Sequence, residues 1–146
     1  FKQINDTYGH QTGDMALQAV AGVLRETVRH YDVCARYAGD EFIVVLPGCG
    51  LAEAEAKRVE LQEAVGNLSV EVGCGQTLQV RMSAGAAVFP ADGETYEALL
   101  AAADGRMYRD KKSRKPSPAI PAVALTDADF PAHVPALAAP APTRIN

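Results

Sequence analysis

Apolar residues recur three or four apart at Leu17, Val20, Ala21, Leu24 and Val28, behind a Gly13-Asp14 start. That spacing is one face of a helix. Residues 33–46 read differently. Two short runs rich in β-branched and aromatic residues, 33–38 and 42–46, flank Gly39-Asp40-Glu41, which predicts a β-hairpin. Residues 52–65 predict a second helix with Glu53, Lys57, Glu60 and Glu63 toward water. Gly66-Asn67 and Gly73-Cys74-Gly75 are breakers. Residues 77–89 alternate at Leu78, Val80 and Met82, then run small and apolar through 84–88, as a strand would. Pro90-Ala91-Asp92-Gly93 predicts a turn. Residues 94–111 predict a third helix, with Leu99, Leu100, Ala103, Met107 and the stem of Lys111 on one side. Helices mixed with strands around a central hairpin predict an α+β sandwich.

The pattern stops near residue 115. Seven of the nine prolines lie in residues 116–146, among mostly Ala, Val and Leu without helical period. Prolines forbid a regular ladder there, so a disordered tail is expected behind a folded domain of residues 1–115. A central strand ahead of Phe1 would give the hairpin a partner. The sequence begins without one and reads as a domain lacking its first strand.

Composition narrows the class. The 146 residues are 48% hydrophobic and 22% charged, the balance of one soluble globular domain. A net charge of −4 favours neither nucleic acid nor an anionic membrane as partner. No apolar run approaches the ~20 residues that span a bilayer. No basic start followed by an apolar stretch resembles a signal peptide. A cytoplasmic location is therefore expected, with no membrane contact in this segment. Cys34, Cys49 and Cys74 are odd in number and widely spaced. Reduced, buried thiols are expected rather than a metal or redox motif.

The candidate chemistry starts at the hairpin. Asp40 and Glu41 stand together after Gly39, and crowded carboxylates repel unless a cation or proton offsets them. A divalent metal is the simplest offset, and oxygen ligands suit Mg²⁺. Gly-Asp is also ordinary turn chemistry. Residues 1–14 are dense in polar groups. Asn5 and Asp14 have the donors and acceptors to read a guanine edge, while Asp14 could equally serve a helix start. Lys2 could meet a phosphate or simply water, and His10 reads as structural. Arg29 and Asp32, three apart, could form a local ion pair or hold a phosphate and a purine. Lys111-Lys112-Ser113-Arg114-Lys115 places cations at a helix C-terminus, as the dipole favours, and a triphosphate would need several.

In order along the chain, these pieces resemble the GGDEF domain of bacterial diguanylate cyclases. Phe1-Lys2-x-Ile4-Asn5-Asp6-x-Tyr8-Gly9-His10-x-x-Gly13-Asp14 is similar to the family's F-K-x-I-N-D-x-x-G-H-x-x-G-D. Arg36-Tyr37-Ala38-Gly39-Asp40-Glu41-Phe42 resembles its R-x-G-G-D/E-E-F hairpin in an AGDEF form. Ser83-Ala84-Gly85 resembles its S-x-G strand. Ala103-Asp104-x-x-Met107-Tyr108-x-x-Lys111 resembles its A-D-x-A-M/L-Y-x-A-K helix. The resemblance covers about residues 1–115.

It implies an adenylyl-cyclase-like, ferredoxin-like α+β fold, with an antiparallel-centred sheet, helices packed on it and the hairpin at the active site. It implies an enzyme that condenses two GTP into cyclic di-GMP and two pyrophosphates across a homodimer, under an N-terminal sensor domain not present here. In that scheme Asp40 ligates Mg²⁺, or Mn²⁺ in its place, and helps deprotonate the attacking hydroxyl, with Glu41 sharing the acidic site. Lys2 stabilises charge on the phosphates, and Lys111 and Lys115 bind them. Asn5 and Asp14 hold guanine with His10 beside them, and Gly39 admits the phosphates to the backbone. Arg29 and Asp32 resemble the family's R-x-x-D product-inhibition site for cyclic di-GMP. The alternative is a catalytically silent GGDEF module that binds GTP or cyclic di-GMP and regulates a partner.

Four departures bear on these expectations. The family's Asp just ahead of F-K, a second metal ligand, is absent from this sequence, so a protein starting at Phe1 is expected to bind Mg²⁺ poorly and to be close to inactive. Ala38 replaces a usual Gly, at a cost of about 1 kcal/mol if its φ is positive. Arg114-Lys115-Pro116 stands where Gly-Arg-Asn is usual, and Lys115 lacks the arginine fork. No closing strand is evident after Pro116.

Overall fold

The computed structural model describes residues 1–73 and 76–113. The expected tail at 116–146, the domain end at 115, any closing strand after 116, Lys115 and Cys74 all lie outside the described residues.

Helix α1 spans Lys2–Thr27, 26 residues, and so begins well before Gly13. Gly9, at φ 83° and ψ 163°, splits it into two helical pieces. That backbone region is open essentially to glycine alone. The piece before the kink carries no apolar period, which is why pattern alone gives no helix there. After the kink, Ala16, Leu17, Val20 and Leu24 are buried, the stripe the spacing predicts. Helix α2, Leu51–Gly66, buries Ala54, Leu61, Gln62 and Val65. Its first turn is tied by Gly50 N–H donating to the Glu53 carboxylate (2.8 Å), the reciprocal half of a capping box.

α1 and α2 meet in the core. Leu24 (1% exposed) and Val65 (0%) lie at its centre with Val20 and Leu61. Val23, Val28, Phe42, Val44, Leu68, Val80 and Met82 close around them. Cys34 joins this rim as a half-buried free thiol, and Cys49 is likewise free and half-buried. Both are less enclosed than expected. Burial still pushes the Cys34 thiol up.

The strands form two antiparallel hairpins among the described residues rather than one central sheet. β1 (Val33–Ala38) pairs with β2 (Glu41–Val45) from Val33↔Val45 to Ala38↔Glu41. Its register shifts between Arg36 and Ala38, leaving Tyr37 unpaired as a bulge. β3 (Ser69–Gly73) pairs with β4 (Gln76–Gln79). β3 has no counterpart in the expectations above, being short and set between two breakers.

The strand expected over 77–89 is present only as far as Gln79. Residues 80–88 carry no ladder, because no described strand runs beside them to supply one. Residues 82–88 are nonetheless half-buried, and side chains serve part of their backbone. Gln62 Nε2 donates to Met82 O (3.4 Å), Arg106 Nη1 to Ala86 O (2.5 Å), and Val88 N–H to Asp92 Oδ2 (2.8 Å). Buried backbone groups require such partners. Helix α3, Tyr96–Ser113, starts two residues later than expected because Thr95 caps it. Ala98 N–H donates to Thr95 Oγ1 (3.2 Å). α3 has no fully buried residue. No helix among the described residues is long and apolar enough to cross a membrane.

Candidate active site

The acidic pair sits at the tip of the β1–β2 hairpin. Gly39 and Asp40 form a two-residue turn between paired Ala38 and Glu41. Gly39 carries the positive φ (50°), as such turns demand. Ala38 is the last residue of β1, so the expected cost of an alanine at positive φ does not arise. Arg36 Nε donates to Gly39 O (2.7 Å) and latches the turn. Asp40 and Glu41 are both exposed. Among the described residues no group of three His, Cys, Asp or Glu could hold a metal ion. The pair fits the partial donor set Mg²⁺ accepts, since that ion keeps waters and takes one or two carboxylates together with substrate phosphates.

The second constellation lies along α1. The kink at Gly9 folds the first helical piece so that Asn5 and Phe1 rest on Gly13. A Cβ there would collide with the Asn5 side chain and stand 3.2 Å from the Phe1 ring. Gly13 is therefore required by close approach rather than by its φ. Asn5 thus lies beside the chain neighbour of Asp14. Asn5 Oδ1 is buried without a hydrogen-bond partner among the described residues, an arrangement that costs about 1–3 kcal/mol unless something fills it.

A cleft of ≈ 420 Å³ lies between α1 and the hairpin, and neither Asn5 nor Asp40 nor Glu41 lines it. α1 contributes Asp14, Leu17, Gln18, Ala21 and Arg25; the hairpin contributes Cys34, Arg36 and Phe42. Its volume is that of small-ligand sites. Arg36, which latches the acidic turn, and Asp14 are thus in one compartment. In the sequence Arg36 is only a letter in a motif, and no pattern marks Leu17, Phe42 or Gly13 as site formers. For Gly13 the available signal is a glycine at the mouth of a helical period.

The other expected residues are more scattered. Lys2 and His10 are exposed on α1, and Lys111 is exposed in the last turn of α3. None of the three lines the cleft. Arg29 and Asp32 close the turn between α1 and β1, but without a side-chain ion pair among the described residues. Arg29 N–H donates to Asp32 Oδ2 (2.8 Å), while Arg29 Nη1 donates to Tyr31 OH (3.0 Å). Asp32 Oδ1 is buried and unpartnered among the described residues.

Fold and site together define an α+β domain with a paired-carboxylate hairpin beside a helix-walled cleft. Residues 1–117 match the family model described as diguanylate cyclase, GGDEF domain, and the chain belongs to that family. Diguanylate cyclase A of Treponema denticola is 34% identical over 113 residues, covering 77% of this chain and 30% of that protein. Response regulator PleD of Caulobacter vibrioides is 39% identical over 115 residues, covering 77% and 25%. The crystal structure of diguanylate cyclase SiaD in complex with its activator SiaC, from Pseudomonas aeruginosa, superposes with a TM-score of 0.68 at 35% identity, covering 77% of this chain and 42% of that one. The chain spans about a third or less of the length of the curated relatives it matches.

Proposed function

We propose that this chain is the GTP-handling part of a diguanylate cyclase. Two copies, each holding one GTP, join them into cyclic di-GMP with release of two pyrophosphates. The observation that supports this reading is the cleft shared by Asp14 and Arg36, the residue that latches the turn carrying Asp40 and Glu41, together with an Asn5 Oδ1 buried without a partner among the described residues. Asn5 and Asp14 bind the guanine edge, with His10 beside it. Gly39 lets the phosphates approach the turn, and Lys2, Lys111 and Lys115 neutralise them. Asp40, with Glu41 sharing the acidic site, would hold Mg²⁺ or Mn²⁺. The ion, when bound, withdraws phosphate charge and eases deprotonation of the attacking hydroxyl. Asp40 accepts that proton, and the latched turn supplies the positioning on which phosphoryl-type transfer depends. Arg29 and Asp32 bind the product as a feedback site. The SiaD–SiaC complex is consistent with control by a regulatory partner, here an upstream sensor domain in the cytoplasm.

The test is direct. Incubated with GTP and Mg²⁺, the protein extended upstream of Phe1 is expected to form cyclic di-GMP, detected by chromatography. Asp40→Ala should bind GTP yet form no product. Asn5→Ala should lose the preference for GTP over ATP. Equal affinity of the unaltered protein for both nucleotides would remove the reading.

A further inference from the structure

α3 is held without a fully buried side chain, so its placement rests heavily on polar ties. Arg106 and Asp110 stand four apart on one helix face. Arg106 grips Asp92 through two hydrogen bonds (2.7 and 2.6 Å) and reaches Ala86 O. Asp110 accepts a hydrogen bond from Gln62 Nε2 (2.9 Å) across to α2. Gln62 is 7% exposed and is itself fixed by Arg58 Nη1 on its Oε1 (2.7 Å), with Arg58 held in turn by Glu55 (2.7 Å). Arg58 also stands 3.8 Å from Asp110 Oδ1. Lys111 follows Asp110 directly, in the last turn of α3.

We propose that Asp110, anchored by Gln62 and Arg58, is a positioning residue that sets where the Lys111 ammonium meets the GTP phosphates. This rests on the reading of Lys111 as a phosphate ligand given above. Lys111 is carried by the same helical turn as Asp110, so the placement of that turn sets the origin from which its flexible stem reaches. The Gln62–Asp110 bond fixes that turn against the best-buried part of α2. Buried, fully satisfied polar networks hold positions in this way.

GTP binding in Mg²⁺, measured by calorimetry on the full chain, tests the proposal with five proteins: unaltered, Asp110→Ala, Asp110→Asn, Lys111→Ala and the Asp110→Ala/Lys111→Ala double variant. Alanine keeps the helix. Asp110→Ala is expected to weaken GTP about three- to tenfold, within the range of coupled contacts. Asp110→Asn retains an acceptor for Gln62 and should restore most of the affinity. The double variant should bind no more weakly than Lys111→Ala alone. A merely structural role would instead lower affinity equally in both backgrounds. Additive losses, or no loss on Asp110→Ala while Lys111→Ala weakens binding, would overturn the proposal and leave the phosphate reading intact. Unchanged affinity in Lys111→Ala would remove that reading, and the proposal with it.

Discussion

Two halves of the domain are built by different physics. In the first, α1, α2 and the acidic hairpin share an apolar core centred on Leu24 and Val65. In the second, residues 80–113 bury no helical side chain fully. The Asp92–Arg106 and Gln62–Asp110 ties stand where packing is thin. Apolar packing is insensitive to pH and tolerant of small shifts. Hydrogen-bonded charges depend on protonation and on geometry. The cleft lies in the first half and Lys111 in the second, so the site proposed above needs both kinds of support.

The largest effect should come from breaking the packed half. Leu24→Ala is expected to lose about 2–5 kcal/mol of unfolding free energy, measured by urea denaturation. A loss well under ~1 kcal/mol would mean the core collapses around the gap. Gly13→Ala should cost about 1–3 kcal/mol from overpacking against Asn5 and Phe1. By displacing Asn5, it should also weaken GTP roughly tenfold, equivalent to ~1.4 kcal/mol. Retained affinity would show that the Asn5 amide is not used.

Acid separates the halves. The Arg106 hydrogen bonds, then the Val88 N–H, hold the Asp92 carboxyl below its ordinary value. A carboxylate with a lowered folded-state pKa binds its proton more readily when unfolded, so folding is favoured above the ordinary value, near 4. That contribution fades as pH falls through the folded value. Protection of α3 amides, taken relative to their intrinsic exchange rates, should therefore fall below pH ~4 while α1 stays protected. In Asp92→Asn, α3 should exchange faster already at neutral pH, with the acid-dependent step reduced. Simultaneous loosening of both halves would contradict the division. The smallest effect belongs to Ala38→Gly. Because Ala38 is a strand residue, the change should cost about 0.5 kcal/mol rather than stabilise the turn. A gain in melting temperature would show that residue 38 prefers the conformation only glycine takes easily.

The elements legible in the sequence are those whose pattern is local. The second piece of α1, the hairpin, α2 and α3 all follow from period or turn chemistry within a dozen residues. What escaped depends on distant partners. The helical piece before Gly9 is set by a glycine-only backbone and by Phe1 resting on Gly13. β3 is five residues between breakers. The strand pattern beyond Gln79 meets no described partner. The site divides the same way. Asn5, Asp14, Asp40 and Glu41 could be picked out by type. The Arg36 latch, the shared cleft and the ties of Arg106 and Asp110 join residues that only folding brings near.

The unpaired Tyr37 has a consequence for the acids it precedes. An extra residue in one arm of a ribbon bends it and winds it more tightly. The heading of the carboxylates is thus governed from a position that carries none of their chemistry. Deleting residue 37 would keep Gly39 and Asp40 as the reversal and Glu41 opposite Ala38, yet relax the ribbon and swing the tip away from its present bearing. Aim and reactivity are separable here, and a lineage could retune one while leaving the other untouched.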